Sequence, residues 1–85
     1  MSDDQSSASR FVIRVEGHVQ GVNYRASARR MARELGIEAE PVNLDDGSVR
    51  ITVSGPREAV DRFVEWCRSG PPLAEVSSVS VEEPV

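Results

Sequence analysis

The sequence predicts an α+β sandwich in which two helices cover one face of a four-stranded antiparallel sheet. Three observations lead to this prediction. Apolar and polar residues alternate in three segments, as in strands with one buried face. In two other segments apolar residues recur every three or four positions, as in amphipathic helices. The order strand, helix, strand, strand, helix, strand is that of the split βαβ, or ferredoxin-like, arrangement.

The first half of the chain supplies a strand at residues 11–16 and a helix at residues 25–35. The apolar face of the strand consists of Phe11, Ile13 and Val15. That of the helix consists of Ala28, Met31, Ala32 and Leu35. Gly36 suits the end of this helix. Residues 1–10 lack apolar periodicity, so we expect a disordered tail there and a single domain over residues 11–85.

The second half supplies a hairpin, a helix and a last strand. Residues 37–53 form the hairpin around the turn signal Asp45-Asp46-Gly47. Pro41 lacks a backbone N–H group, so its strand should lie at the sheet edge. Pro56 suits the first position of the second helix. The apolar stripe of that helix consists of Ala59, Val60, Phe63, Val64 and Cys67. Residues 74–81 form the last strand.

Size and charge restrict the possible functions. The chain has 85 residues, a net charge of −4 and a pI near 4.9, which disfavours non-specific nucleic-acid binding. It lacks an apolar run of about 20 residues, which would be needed to cross a bilayer, and its N-terminus lacks a signal-peptide core. The single cysteine, Cys67, cannot form an intrachain disulfide. We therefore expect a cytoplasmic protein without membrane or nucleic-acid partners, and we expect a monomer.

The segment from Gly17 to Arg25 has the composition of an anion-binding loop. It joins a strand to the start of a helix, where backbone N–H groups lack partners and the helix dipole is positive. Gly17 and Gly21 allow the backbone to curl so that several amides converge on one oxyanion. Arg25 adds a planar, permanently charged fork suited to two phosphate oxygens. A tight turn without a ligand is the alternative interpretation of these residues.

Two motifs resemble those of the acylphosphatase family. Gly-x-Val-Gln-Gly-Val-x-Tyr-Arg at residues 17–25 is similar to the family's first signature. Asn43-x-x-x-Gly47-x-Val49, followed by Gly55, is similar to its second. The resemblance extends over residues 11–81, nearly the whole predicted domain.

The resemblance implies hydrolysis of carboxyl–phosphate anhydrides without a metal or other cofactor. Small acyl phosphates would be the substrates, and a carboxylate and inorganic phosphate the products. In the family the loop arginine, here Arg25, holds the phosphoryl group together with the loop amides. Those amides correspond here to Val19, Gln20, Gly21 and Val22. The family's asparagine, here Asn43, orients the attacking water.

The chain departs from the family pattern at three places. Ala39-Glu40-Pro41-Val42 stands where the family has a glycine and an aromatic residue, so we expect a looser or shifted Asn43. The sequence ends at Glu82-Glu83-Pro84-Val85, without the short strand that relatives add, so we expect lower stability than that of a longer relative. Inside the loop, Asn23 replaces a frequent glycine, which we expect to be a mild change because asparagine tolerates left-handed backbone angles.

Two other functions compete with the enzyme. One is an acylphosphatase-like module that binds phosphate or carbamoyl phosphate but has lost hydrolysis. The other is an RNA-binding domain with the same order of elements, which would need exposed aromatic residues on its central strands. The polar faces of those strands carry Arg14, Glu16, Arg50 and Thr52 instead. The RNA-binding hypothesis is therefore the weaker of the two.

Several other reactive or charged residues fit structural roles better than functional ones. We expect His18 to be an ordinary exposed side chain, Cys67 to lie in the core and Trp66 to be partly buried. Asp45 and Asp46 fit turn chemistry better than a metal site. A solvated helix face is expected for Arg29, Arg30 and Arg33.

Overall fold

The computed structural model describes residues 8–83. Its elements are β1 (Ala8–His18), α1 (Tyr24–Leu35), β2 (Glu38–Asn43), β3 (Val49–Pro56), α2 (Arg57–Cys67) and β4 (Glu75–Glu82). The strands form one antiparallel sheet in the order β2-β3-β1-β4. This is the predicted ferredoxin-like α+β fold, with two helices packed on one face of the sheet.

Strand β1 begins earlier than the sequence pattern indicates. Residues 8–10, which we expected in the disordered tail, pair with residues 54–56 of β3. Backbone pairing needs no apolar side chain, so apolar periodicity detects only the buried part of a strand. Residues 1–7, the rest of the expected tail, lie outside the described residues.

The core is one apolar layer between the sheet and the helices. Its largest fully buried side chains are Tyr24, Phe63, Ile13, Ile51, Val15, Val19, Val49, Val53, Val60 and Cys67. Burying each such valine, isoleucine or phenylalanine contributes about 1.5–3 kcal/mol relative to exposure. Cys67 is among these buried side chains, so its predicted core position is confirmed.

Trp66 packs beside the core instead of forming an exposed platform. It is half-buried, and its ring centroid lies 5.3 Å from that of Tyr24 and 5.9 Å from that of Phe63. The prediction of a partly buried packing residue is thus confirmed.

Strand β2 is an edge strand, as Pro41 predicts. Pro41 is buried opposite Ile51, and the pairing continues without a bulge to Asn43 opposite Val49. An edge strand has a neighbour on only one side, so proline's missing donor is tolerated there. None of the helices within residues 8–83 has the length and apolarity needed to cross a membrane.

Candidate active site

The loop between β1 and α1 is shorter than the motif that predicts it. Gly17 and His18 belong to β1, where Gly17 lies opposite Val76 next to a register shift. A Cβ atom at Gly17 would come within 2.7 Å of the backbone nitrogen of Ser77, so glycine is needed for strand packing. The loop itself comprises residues 19–23.

The backbone of this loop turns through two left-handed residues. Gly21 has φ +77° and Asn23 has φ +69°. A Cβ atom at Gly21 would meet no atom within 4 Å, so only its backbone angle favours glycine. Asparagine is among the few other residues that adopt such angles readily, which explains how Asn23 replaces a glycine.

The loop and the start of α1 present a group of unpaired N–H donors. Within residues 8–83, the amides of residues 19–22 donate to no backbone or side-chain acceptor. The first intrahelical bond of α1 runs from Ser27 N–H to the Asn23 carbonyl (3.2 Å), and Asn23 makes no side-chain cap. The first turn of α1 also contains no acidic residue. These donors and the positive end of the helix dipole can therefore receive an oxyanion.

Two side chains fix the loop against the rest of the fold. Val19 is 1% exposed and packs into the core. The Gln20 Nε2 group donates to the carbonyl oxygens of Leu44 (2.8 Å) and Ser48 (3.0 Å). Gln20 thereby joins the loop to the hairpin turn that follows Asn43. This role of the Gln20 side chain, as distinct from that of its backbone N–H group, is not evident from the sequence.

The hairpin turn is itself braced by Asp46. Its Oδ1 atom accepts hydrogen bonds from the Ser48 N–H (2.9 Å) and the Ser48 hydroxyl (2.6 Å), and Arg14 forms an ion pair with Oδ2. The hydrogen bonds from Ser48 hold the pKa of the Asp46 carboxyl below its usual range, and Arg14 adds to the effect. The turn interpretation is therefore confirmed for Asp46. In the described part of the chain, no three His, Cys, Asp or Glu side chains are grouped as a metal site would need.

Arg25 lies on the second position of α1 with its side chain exposed. No carboxylate of residues 8–83 lies within 4.0 Å of its guanidinium. Beside it, Tyr24 is buried and its hydroxyl donates to the Cys67 carbonyl at 2.8 Å. Burial is the main reason that the pKa of Tyr24 lies above its ordinary value. The buried tyrosine anchors the helix start, while the neighbouring arginine is available to a ligand.

Asn43 comes to the same site from a different element, strand β2. It is the last residue of β2, and its pairing with Val49 places it on the face of the sheet that the helices cover. The departure at residues 39–42 does not interrupt the pairing of β2 with β3, which continues to Asn43. The expected looser or shifted position of Asn43, relative to other family members, stays a prediction.

A cavity of about 210 Å³ joins these groups. It is lined by Val19, Gly21, Asn23, Tyr24, Arg25, Ala26, Arg29 and Asn43. Four of the six predicted site residues thus contribute to one cavity, namely Val19, Gly21, Arg25 and Asn43. The other two, Gln20 and Val22, are not part of the lining: Gln20 bonds the hairpin and Val22 packs against the core.

Arg29, which we expected on a solvated helix face, lines the cavity. Its spacing of four residues from Arg25 was the available signal, because such residues lie on the same side of a helix. His18 is exposed, pairs with Glu75 in the sheet and does not line the cavity.

Comparison with known proteins fits this geometry. The family model described as acylphosphatase matches residues 11–84. The chain belongs to the acylphosphatase family. It is 46% identical to an acylphosphatase of an Azoarcus species over 95% of its length and 83% of the relative's. The identity is 51% to that of Haloquadratum walsbyi, over 95% of this chain and 84% of the relative.

The fold comparison agrees with the sequence comparison. The structure of an acylphosphatase from Coxiella burnetii superposes with a TM-score of 0.93 at 36% identity, and the match covers all of this chain and 90% of the other. Acylphosphatases are hydrolases, so the chain is a member of an enzyme family.

Proposed function

We propose that this acylphosphatase-family chain hydrolyses the carboxyl–phosphate bond of small acyl phosphates to a carboxylate and inorganic phosphate. One observation supports this function above all others. Arg25 and Asn43 come from different elements of the fold and line one polar cavity together with the loop. Such a cavity can hold a phosphoryl group on one side and a water molecule on the other.

The phosphoryl group is bound by the loop and Arg25 in this proposal. The amides of Val19, Gln20, Gly21 and Val22 donate to its oxygens, and the Arg25 guanidinium contacts two of them. Both kinds of donor lack a protein partner in the described structure. They can therefore stabilise charge that develops on the phosphoryl oxygens in the transition state.

Asn43 orients the attacking water. Its side-chain amide can accept and donate hydrogen bonds, but it is a poor base. The water oxygen forms a bond to phosphorus while the bond from phosphorus to the acyl oxygen breaks, and the carboxylate leaves with the electron pair. The proton lost by the water passes to a phosphate oxygen of the substrate. A carboxylate is a good leaving group, so positioning and charge stabilisation supply the acceleration.

We also propose that the enzyme acts as a monomer, because every group assigned to the reaction comes from one chain. Gel filtration together with light scattering should give the mass of a single chain. A dimer would contradict this part of the proposal and leave the assigned chemistry unchanged.

Turnover of benzoyl phosphate, measured together with binding of inorganic phosphate by calorimetry, tests the proposed function. We expect both turnover and phosphate binding. Binding without turnover would favour the alternative module that has lost hydrolysis. If the protein neither bound phosphate nor hydrolysed benzoyl phosphate, the site assignment as a whole would be contradicted.

A further inference from the structure

Arg29 places a second positive charge in the proposed phosphate site. It lies one helical turn after Arg25 on α1, and both residues line the same cavity. Residues four apart on a helix have neighbouring side chains, so the two guanidinium groups are on the same side of α1. One phosphoryl group already has Arg25 and the loop amides as donors, which leaves Arg29 without an assigned partner in the proposed reaction.

No acid of the described chain neutralises this pair. Within residues 8–83, salt bridges involve Arg14, Arg57 and Arg68, and none involves Arg25 or Arg29. The first turn of α1 contains no acidic residue either. Like charges four residues apart destabilise a helix, so a ligand with two negative groups would relieve an unfavourable arrangement.

The cavity extends along α1 from its start to Arg29. Asn23 at the cap, Ala26 in the first turn and Arg29 in the second all line it. One turn of helix advances by about 5.4 Å, which places Arg29 several bond lengths beyond the loop amides. The cavity volume of about 210 Å³ is many times the roughly 10–15 Å³ that one water-sized group needs on the same measure, so the cavity has space for several such groups. The additional space beside Arg29 can receive part of the acyl group.

We propose that Arg29 is a specificity-determining residue that binds a carboxylate on the acyl group of the substrate. The preferred substrates would then be monoacyl phosphates of dicarboxylic acids. This inference rests on the proposed function, because it assigns the phosphoryl group to Arg25 and the loop.

A competing partner for Arg29 lies on its other side. A groove between α1 and β2 is lined by Arg29, Arg33, Glu38 and Glu40, among others. Both glutamates are exposed, and neither forms a salt bridge with Arg29 in the described residues. If Arg29 served only to pair with these acids, its loss would not discriminate between substrates.

The test compares two substrates that differ by one carboxylate, benzoyl phosphate and 4-carboxybenzoyl phosphate. The readout is the ratio of their kcat/KM values, carboxylated over plain. In Arg29→Gln this ratio should fall about fivefold relative to the unmodified protein, the size expected for a partly exposed charge pair. Most of the change should lie in KM, and Arg29→Lys should restore part of the ratio. The difference between the proteins should shrink as salt screens the pair.

Arg30→Gln is the matched control. Arg30 is the next residue on the same helix, is exposed and does not line the cavity, so the variant loses the same charge. Its substrate ratio should equal that of the unmodified protein. An equal ratio in all the proteins, or an equal fall in both glutamine variants, would overturn the proposal. Complete absence of benzoyl phosphate turnover in the unmodified protein would instead contradict the proposed function itself.

Discussion

The two strand-to-helix connections of this fold have equivalent places in the topology and opposite properties. Between β1 and α1 the chain makes a loop of residues 19–23, whose amides lack protein acceptors in the described structure. Between β3 and α2 there is no loop, because Pro56 ends the strand and Arg57 begins the helix. Gly55 closes this second connection tightly, since a Cβ atom there would lie 2.5 Å from Ile37 Cγ2.

Each of the two helices also carries an arginine in its first turn. Arg57 lies 5.3 Å above the centroid of the Phe11 ring and contacts Asp61 at 3.4 Å, and Glu58 complements the dipole of α2. Arg25 has no carboxylate partner in residues 8–83, and α1 has no acid in its first turn. The comparison teaches that the surroundings of a helix N-terminus decide the role of its arginine. Where protein groups pair with the arginine and complement the dipole, the arginine stabilises the fold. Where they do not, the helix N-terminus is available to an anion.

The largest expected effect separates the two arginines. Arg25→Ala should abolish phosphate binding and lower kcat/KM for benzoyl phosphate by about 10²–10³-fold, as loss of a transition-state donor does. Its urea midpoint should change little, because the side chain is exposed and unpaired in the described structure.

Arg57→Ala is the matched control and should behave in the opposite way. It should retain turnover and lose about 0.5–1 kcal/mol of stability with its contact to Phe11. If both alanine variants lost activity equally, the distinction between the two helix starts would be wrong.

The next largest effect concerns the water-orienting role of Asn43. Asn43→Ala should lower kcat roughly tenfold to hundredfold, because the water loses its fixed position. Inhibition by inorganic phosphate should be nearly unchanged, because the loop and Arg25 remain. Steady-state kinetics with phosphate as inhibitor measures both quantities. Full activity of this variant would remove Asn43 from the mechanism.

Two glycines test the connections themselves. Gly21→Ala forces a side chain into a left-handed backbone, which costs about 1–2 kcal/mol, and should weaken phosphate binding by distorting the loop. Gly55→Ala presses on Ile37 and should cost about 1–3 kcal/mol by overpacking, with turnover of the folded protein unchanged. Urea unfolding and phosphate titration of both variants separate these effects. If phosphate binding were weakened only in the Gly55 variant, the assignment of phosphate binding to the β1–α1 connection would be contradicted.

The smallest effect is a pH dependence of the contact that joins the two helices. Tyr24, at the start of α1, bonds the carbonyl of Cys67, at the end of α2. Burial raises the pKa of the Cys67 thiol to about 12 and also raises that of Tyr24. In the unfolded chain the pKa of the thiol is about 8.5 and that of the tyrosine is about 10. Their contribution to stability is therefore complete below about pH 8.5 and declines as the pH rises.

Urea midpoints measured between pH 8 and pH 10.5 should accordingly decrease with pH. Cys67→Ala should flatten the first part of this decrease, from about pH 8.5 to pH 10, because only the tyrosine then contributes. The same slope in the variant would show that the thiol is not responsible.

Much of the fold follows from local patterns that the tertiary structure reinforces. The alternation through Phe11, Ile13 and Val15 predicts a strand, and the sheet places the same three residues in its core. Pro41 predicts an edge strand because it removes a donor, and β2 lies at the edge. The first three residues of β1 could not be predicted, because their pairing depends on the backbone of β3 and not on their own side chains.

The candidate site was only partly predictable for a related reason. The motif in residues 17–25 indicates which amides and which arginine are available, because glycines and a helix start are local features. It does not show that the Gln20 side chain ties the loop to the hairpin, since its acceptors lie 24 and 28 residues away. Arg29 was missed because a charged residue on a helix face looks the same in sequence whether it meets solvent or a cavity.

The sequence by itself determined the order of the elements, the residue types of the proposed anion-binding segment and the chemical character of Arg25 and Asn43. These depend on side-chain identity and on neighbours close in the chain. Only the tertiary structure decided that Asn43 meets the loop, that Arg57 is occupied by Phe11 and Asp61, and that Arg29 faces the cavity. The physical reason is that a polar group's role depends on which partners reach it, and those partners come from distant parts of the chain.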